Sequence, residues 1–260
     1  MKVVLFCGGL GTRLREHSDT IPKPLVSIGY RPILWHLMRY YAHYGHKEFV
    51  LCLGHRGDMI REYFLTYQEA MSNDFTLSEG GRRIELHSRD LDDWKITFVD
   101  TGLHSNIGQR LLRARKHVEN EDVFLANYAD GLSDLPLDTH IDRFLGTNAI
   151  ATFIAVRSSQ SFHAVRAEAD GIVTHIGPMP EQELWVNGGF FVLRQQIFDY
   201  LNEGEELVEQ PFARLIEKKR LLTYEYPGFF MAMDTFKDKI NYDRMEARGK
   251  CPWMVWKNAE

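Results

Sequence analysis

The sequence predicts an α/β protein with a three-layer arrangement of helices around a largely parallel sheet. Apolar runs typical of buried strands alternate with segments whose apolar residues recur at helical spacing. The first apolar run, residues 3–7, leads directly into a glycine-rich turn. Right-handed crossovers between such strands give a parallel sheet covered on both faces. A chain of 260 residues is long enough for one such domain, residues 1–260, with a sizeable core.

Composition and charge limit the classes of protein and of binding partner that are possible. A hydrophobic content of 44% with 26% charged residues is ordinary for a soluble protein. The formal net charge of −5 argues against nucleic acid as a partner, because non-specific binding to a polyanion needs a basic surface. The three cysteines are far apart and no apolar stretch reaches 18 residues, so we expect reduced thiols, no membrane span and a cytoplasmic location.

The elements of the first half follow one another in strand–helix order. After the opening strand, the pattern predicts helices at 32–45, 58–68 and 109–117 and strands at 48–53, 95–99 and 122–127. Residues 73–93 interrupt this rhythm with a Gly80-Gly81 pair and an apolar alternation at 84–86. This insertion predicts a small ribbon that acts as a lid or an oligomer contact.

The second half, from about residue 150, is richer in strands and is expected to form a second, substrate-binding wall. Strands are predicted at 151–156, 164–168, 172–176, 185–193 and 222–226. Helices are predicted at 195–202, 210–220 and from about 233 to 248. The boundary near 149/150 therefore separates two halves of the same domain.

The glycine turn predicts an anion site. Gly8, Gly9 and Gly11 allow backbone N–H groups to face outward, and Arg13 and Lys23 follow closely. The turn lacks the third glycine of a dinucleotide-binding fingerprint and the Gly-Lys-Ser/Thr of a Walker loop. Alone it is as consistent with a plain strand-to-helix turn as with a nucleotide site, and the nearby Lys23-Pro24 pair favours the nucleotide.

Two aspartates extend this prediction. Asp130 and Asp234 each follow an apolar run, and the carboxyl ends of parallel strands share the edge where ligands bind. Paired carboxylates suit Mg²⁺, and cations suit a triphosphate, so the set favours nucleotidyl transfer by in-line attack on the α-phosphorus. The alternative is structural, since Asp-Gly is a common turn pair and Asp234 or Thr235 is suited to capping a helix.

Taken together, these motifs resemble the sugar-1-phosphate nucleotidyltransferases, and within them the glucose-1-phosphate cytidylyltransferases. The resemblance spans essentially the whole chain and rests on residues 8–14, 23–24, 128–131, 187–191 and 227–235, with 32–36, 99–102 and 252–253 in matching order. It implies a Rossmann-like three-layer α/β/α fold with a mixed, mostly parallel sheet. It also implies a nucleotide-binding half at about 1–149, a sugar-phosphate-binding and oligomerisation half at about 150–260, and assembly into a homo-oligomer.

The resemblance also implies roles for individual residues. Nucleoside triphosphate and phosphorylated sugar are the expected substrates and Mg²⁺ is the expected cofactor. The implied nucleotide-binding residues are Gly8, Gly9, Leu10, Gly11, Thr12, Arg13, Gly108, Gln109 and Arg110. Arg13, Lys23 and Asp130 are the implied catalytic set, Asp130 and Asp234 the metal ligands, and Asn187 with Gly188 part of the sugar site.

The acceptor side departs from the family pattern. Where the family has a Glu-Lys-Pro clamp for the sugar phosphate, this chain has Pro178-Met179-Pro180. His163 stands where a glycine gives the sugar room, and Arg166 lies close by in sequence. Because a phosphate in a partly buried pocket needs a cation, we expect Arg166 or His163 to replace the lysine and the acceptor to be a sugar or cyclitol phosphate other than glucose 1-phosphate. A non-catalytic nucleotide-binding relative is the alternative.

Overall fold

A central eight-stranded sheet organises the molecule, which we describe from a computed structural model covering residues 1–9, 21–157, 163–178 and 184–257. Its strands are β1 (Val3–Phe6), β4 (Glu48–Leu53), β7 (Lys95–Asp100), β8 (Val123–Tyr128), β10 (Ala151–Arg157), β13 (Trp185–Asn187), β14 (Phe191–Arg194) and β15 (Leu221–Tyr226). Strand β1 lies between β4 and β8, both parallel to it, and β7 follows β4 in the same direction. Strand β14 pairs antiparallel with β8 and so joins the two predicted halves in one sheet.

Among the described residues, four two-stranded ribbons lie off this sheet. They are β2 (Ser27–Ile28) with β3 (Arg31–Pro32), β5 (Phe75–Ser78) with β6 (Arg83–Leu86), β9 (Gly131–Ser133) with β16 (Phe230–Ala232), and β11 (His163–Ala167) with β12 (Val173–Pro178). The β5–β6 pair confirms the ribbon predicted within residues 73–93. Its role as a lid or an oligomer contact stays a prediction.

Helices cover both faces of the sheet. They are α1 (Ile33–His43), α2 (Gly57–Leu65), α3 (Glu69–Ser72), α4 (Ile107–Val118), α5 (Leu137–Leu145), α6 (Gln210–Glu217) and α7 (Phe236–Ala247). Alternate residues of β1 point to opposite faces: Val3 and Leu5 join a core with α1, and Val4 and Phe6 join a second core with α4. This buried, mostly parallel sheet between two cores confirms the predicted Rossmann-like α/β fold class.

Two predicted elements were wrong in detail. The apolar run 185–193, predicted as one strand, is broken into β13 and β14 by a bend at Gly189 and Phe190, whose φ angles are +76° and +50°. The helix predicted at 195–202 is only a 3-10 segment, Gln195–Asp199, and the chain soon turns through Gly204 at a φ of +86°. A left-handed backbone conformation separates β13 from β14, and another, at Gly204, turns the chain after the 3-10 segment.

Candidate active site

A cavity of about 380 Å³ opens above the carboxyl ends of β1 and β8, at the edge where the sequence places its glycine turn and Asp130. Its walls come from both halves of the chain. They comprise Phe6, Cys7, Gly9, Lys23, Pro24, Ser105, Asn106, Ile107, Arg110, Tyr128, Ala129, Asp130, Glu206 and Asp234. The prediction that Asp130 and the glycine turn share one edge is confirmed.

One ammonium group connects the predicted catalytic and metal residues. Lys23 Nζ lies 2.7 Å from Asp130 Oδ2 and 2.7 Å from Asp234 Oδ1, and donates a hydrogen bond to each. The lysine side chain is 14% exposed, against 32% and 43% for the two aspartates. Residues far apart in the sequence thus form one charged cluster at the cavity wall.

Local structure explains why these three side chains meet. Asp130 sits in the tight connection between β8 and β9, and β9 pairs with β16 so that Gly131 faces Ala232. The Met233 N–H donates to the Asp130 carbonyl at 2.8 Å, which places Asp234 beside Asp130. Lys23 opens a short 3-10 turn, Lys23–Leu25, between Pro22 and Pro24, which restrict the backbone there.

Opposing effects set the pKa of Lys23. Burial, the largest, lowers it, but the charges of Asp130 and Asp234 and the hydrogen bonds to them raise it, and the net pKa lies above the ordinary lysine value. The lysine therefore stays charged at neutral pH. One positive charge between two carboxylates leaves the cluster net negative, which suits the entry of a further cation.

The same cluster fits a hard divalent cation. Two carboxylate oxygens that share one hydrogen-bond donor lie within two hydrogen-bond lengths of each other. Mg²⁺ takes oxygen ligands and is commonly held by one or two protein carboxylates together with substrate phosphates. Within the described residues, no group of three or more His, Cys, Asp or Glu side chains is placed to hold a metal by itself.

The glycine turn is held from below by Arg110. Its guanidinium donates to the carbonyls of Gly8, Leu53 and Gly102 at 2.9–3.2 Å and to Thr101 Oγ1 at 2.7 Å. A Cβ on Gly8 would lie 2.0 Å from Arg110 Nη1, so only glycine fits above this side chain. Leu10, Gly11, Thr12 and Arg13 lie outside the described residues, and their roles stay predictions.

Arg110 is buried, and burial, as the main cause, lowers its pKa. Four of its hydrogen bonds go to protein acceptors, at the ends of β1, β4 and β7. Although it lines the cavity, as the predicted nucleotide role requires, its geometry is that of a residue that positions the three strand ends. A direct contact with nucleotide stays a prediction.

At the start of α4, Asn106 and Ile107 line the cavity, and Gly108 and Gln109 support them from behind the wall. Asn106 and Gln109 form a capping box, and Gln109 Nε2 also donates to Glu203 at 3.2 Å. A Cβ on Gly108 would lie 2.1 Å from the Glu205 carbonyl, so glycine lets the 203–207 loop pack against the helix. Neither Gly108 nor Gln109 is among the lining residues, and their nucleotide-binding roles stay predictions.

Asn187 contacts Tyr128, which lines the cavity. Its Nδ2 donates to the Tyr128 hydroxyl at 3.1 Å, and its Oδ1 accepts from the Gly189 N–H at 2.9 Å. Burial is the main cause that raises the pKa of Tyr128 to about 12, so the phenol stays neutral. A Cβ on Gly188 would lie 2.9 Å from Ile154, which explains the glycine by packing. The contact of both residues with sugar stays a prediction.

Buried polar side chains fix the bend that carries Asn187. The Phe190 N–H donates to Asn127 Oδ1 at 3.0 Å, and Asn127 Nδ2 donates to the Tyr41 hydroxyl at 3.1 Å. The Phe190 carbonyl accepts from His140 Nε2 at 3.0 Å. Burial, as the main cause, lowers the pKa of His140 to about 4, so its ring is neutral and one nitrogen donates.

We call strands β11 and β12 the acceptor hairpin. Val165 lies opposite Ile176 and Arg166 opposite His175, so the first pair shares one face of the hairpin and the second pair the other face. The Arg166 side chain is exposed. Nothing is described of the His163 side chain, and Met179-Pro180 lie outside the described residues, so the predicted replacement of the phosphate clamp stays a prediction.

The sequence reasoning missed Glu206 among the site residues. It stands in the 203–207 loop, between the Gln195–Asp199 segment and α6, and lines the cavity opposite the strand ends. No motif marks it, because its neighbours Glu203, Glu205 and Glu209 form an ordinary acidic surface stretch. Only the packing of this loop against the start of α4 brings it inward.

The structure also decides whether Asp234 or Thr235 caps α7. Thr235, not Asp234, caps α7, with reciprocal hydrogen bonds between Thr235 and Asp238. This leaves the Asp234 side chain for Lys23.

Cys7 is buried, and burial, as the main cause, raises the pKa of its thiol well above the usual range, as expected for a core thiol and not for a nucleophile. No helix in the described part of the chain has the length and apolar character to span a membrane.

The fold and this edge of the sheet define a Rossmann-like α/β protein with a lysine and two carboxylates at a cavity above the strand ends. A family model described as nucleotidyl transferase matches residues 2–226. A glucose-1-phosphate cytidylyltransferase from Salmonella typhi is 38% identical over 258 residues, which cover 98% of this chain and 100% of that protein. The chain therefore belongs to the nucleotidyl transferase family, and the resemblance drawn from its motifs is confirmed.

More distant matches share the fold and differ in the nucleotide that their names state. A mannose-1-phosphate guanyltransferase from Yarrowia lipolytica is 24% identical over 248 residues, covering 93% of this chain and 62% of that protein. The structure of a UDP-glucose pyrophosphorylase complexed with UDP-glucose matches with a TM-score of 0.70 at 17% identity, over 95% of this chain and 98% of that one. Membership of the family thus leaves the base to be identified from the site.

Proposed function

We propose that the protein transfers CMP from CTP to a phosphorylated sugar or cyclitol and releases pyrophosphate. The observation that carries the proposal is the Lys23 ammonium held between Asp130 and Asp234 at the wall of the strand-end cavity. A buried cation beside two carboxylates is suited to a triphosphate and its counter-ion. The similarity to a glucose-1-phosphate cytidylyltransferase over nearly the whole chain supports CTP.

The protein's own part in the reaction is positioning and charge. Lys23 remains charged and close to the strand ends, so it can neutralise phosphate oxygens as the acceptor phosphate attacks the α-phosphorus in line. Asp130 and Asp234 would hold Mg²⁺, which when bound neutralises charge on the phosphates of the nucleotide. Arg110 fixes the backbone of Gly8, and the next residue, Gly9, lines the cavity wall along which the triphosphate would lie.

For the acceptor, we propose a phosphorylated sugar or cyclitol other than glucose 1-phosphate, with its phosphate held by Arg166 or His163. Arg166 shares a face of the acceptor hairpin with His175, so two basic residues stand together there. The sequence Pro178-Met179-Pro180 carries no cation that could serve as the family's lysine does. We further propose that the enzyme depends on Mg²⁺, forms homo-oligomers and is cytoplasmic.

Pyrophosphate release tests the function directly. The protein is incubated with Mg²⁺, one of CTP, UTP, dTTP, GTP or ATP, and a panel of sugar and cyclitol phosphates that includes glucose 1-phosphate. We expect release to be largest with CTP and with an acceptor other than glucose 1-phosphate. Absence of release with every pair would favour a non-catalytic nucleotide-binding relative, and a clear preference for glucose 1-phosphate would refute the acceptor proposal alone.

A further inference from the structure

The cavity has two chemically different ends. At one end stand Lys23, Asp130 and Asp234. At the other, residues 105–107 at the start of α4 face Glu206 from the 203–207 loop. The Lys23 ammonium, together with a divalent cation held by Asp130 and Asp234, would make its end of the cavity net positive, whereas Glu206 adds a negative charge to the other end, so the phosphates belong at the Lys23 end. The base then lies at the end that contains Glu206.

Glu206 is a carboxylate with hydrogen-bonding capacity to spare. Its Oε2 accepts from the Ile107 N–H at 3.3 Å and its Oε1 from the Leu207 N–H at 3.0 Å. No lysine or arginine within the described residues forms an ion pair with it. Burial is the main cause that raises its pKa, and the charge of Glu209 adds to the rise. A carboxylate has about four acceptor positions, so further donors can bind.

Nearby polar side chains at this end are already engaged with protein groups. Asn106 Oδ1 accepts from Gln109, and its Nδ2 donates to the Gly204 carbonyl. Ser105 Oγ donates to the Thr101 carbonyl and accepts from Arg113. Among these described side chains, Glu206 is the one that presents unused acceptor positions to a ligand in the cavity.

We infer that Glu206 reads the base, by accepting a hydrogen bond from an exocyclic amino group and disfavouring a carbonyl in the same place. Cytosine carries an amino group at ring position 4, whereas uracil and thymine carry a carbonyl oxygen there. A carboxylate accepts from the amino group and is repelled by the lone pairs of the carbonyl. The inference rests on the proposed function and gives it a physical basis for choosing CTP over UTP and dTTP.

The substitution Glu206→Gln tests the inference because it keeps the shape and replaces one acceptor by a donor. Its amide oxygen can still accept from the Ile107 N–H, while its NH₂ group takes the place of the oxygen that accepts from the Leu207 N–H. That NH₂ group can donate to the uracil carbonyl. We expect the ratio of kcat/KM for CTP to that for UTP to fall by about 10- to 100-fold. Glu209→Gln removes the same charge from an exposed residue of the same stretch that does not line the cavity, and should leave the ratio unchanged.

A purely structural role for Glu206 gives a different result. If the carboxylate only ties the 203–207 loop to α4, Glu206→Gln lowers kcat/KM for both nucleotides by the same factor, and the inference is overturned. Glu206→Asp is the second variant: a carboxylate shortened by one methylene should weaken CTP without improving UTP. A fall of the ratio in Glu209→Gln as large as in Glu206→Gln would also contradict base reading by Glu206.

Equilibrium binding separates this inference from the proposed reaction. Dissociation constants of CTP and UTP are measured by calorimetry for the wild type and both glutamine variants, with no acceptor present. A CTP preference that falls in Glu206→Gln supports base reading even where no acceptor supports turnover. Equal affinities of the wild type for CTP and UTP overturn it, while pyrophosphate release from either nucleotide would still support the transfer reaction.

Discussion

The nucleotide edge and the acceptor hairpin differ in how their side chains are held. We define the nucleotide edge as residues 7–9, 23–24, 105–110 and 128–130. At the nucleotide edge, one buried arginine ties three strand ends together and one lysine bridges two carboxylates. On the hairpin, Val165 and Ile176 are 55% and 65% exposed and Arg166 is exposed. The rigid edge suits chemistry that is common to many acceptors, and the open hairpin suits recognition that changes from one acceptor to another.

The largest effect is expected from breaking the carboxylate pair. Asp130→Asn and Asp234→Asn each remove one oxygen charge from the Lys23 cluster while keeping the side-chain shape. We expect kcat for pyrophosphate release to fall about 10²- to 10³-fold in each, because charge stabilisation at the phosphates is lost. The exposed Asp142→Asn is the matched control. Activity within threefold of wild type in either variant would rule out a catalytic role for that carboxylate.

Replacing Arg110 tests how much the nucleotide edge contributes to the stability of the fold. Arg110→Met removes four hydrogen bonds at the ends of three strands, and of the three carbonyls involved only those of Leu53 and Gly8 have further donors among the described residues. We expect the free energy of unfolding, measured in urea, to fall by about 2–4 kcal/mol. Lys116→Met, at an exposed position of the same helix, should change it by less than about 0.5 kcal/mol. Equal losses in the two variants would show that Arg110 does not hold the edge together.

The buried histidines His36 and His140 predict that the free energy of unfolding depends on pH. Burial is the main cause that lowers the pKa of His36 and of His140 to about 4, below the value of about 6.5 in an unfolded chain. The unfolded state therefore binds more protons between these values, and the free energy of unfolding should fall as the pH drops from about 6.5 to 4. The loss should reach roughly 2–3 kcal/mol per histidine.

Replacing one of these histidines should reduce the dependence. In His140→Gln, the difference between the free energies of unfolding at pH 7 and pH 4 should be smaller than in the wild type. The exposed His104→Gln should retain the full difference. A His140→Gln protein with the same pH profile as the wild type would mean that His140 does not titrate as its buried position requires.

The smallest effect belongs to the acceptor hairpin. Arg166→Ala should raise KM for the phosphorylated acceptor by about tenfold with little change in kcat or in KM for CTP, because one exposed phosphate contact is lost. Arg82→Ala, on the β5–β6 ribbon, is the control for removing an exposed arginine. An unchanged acceptor KM in Arg166→Ala would remove Arg166 from the acceptor site and leave His163 as the candidate.

Sequence reasoning reached the nucleotide edge because its parts follow local rules. Strand ends, glycines and the aspartates after apolar runs are visible in order along the chain, and the register of a parallel sheet then brings them together. The bridging of both aspartates by Lys23 was not predictable, since it depends on the pairing of β9 with β16. The bend at Gly189 and Phe190 was missed although Asn187-Gly188-Gly189 is a turn signal, because the apolar residues on both sides of it favoured one continuous strand.

Glu206 shows the limit of motif reading most clearly. Its position in the cavity depends on a loop that packs against α4 only because Gly108 has no side chain. Four glutamates lie between residues 203 and 209, and nothing in their sequence separates the one that faces inward. The acceptor hairpin was predicted as two strands, and their pairing confirms it, but its ligand cannot be derived from exposed side chains alone.

The central claim is that Lys23, Asp130 and Asp234 form a nucleotide site completed by a divalent cation. The most direct test is calorimetric titration of CTP into the wild type and Asp234→Asn, with and without Mg²⁺. We expect Mg²⁺ to tighten CTP binding by at least about tenfold in the wild type and to have little effect in Asp234→Asn. CTP binding that is indifferent to Mg²⁺ in the wild type would contradict the claim and favour a non-catalytic nucleotide-binding protein.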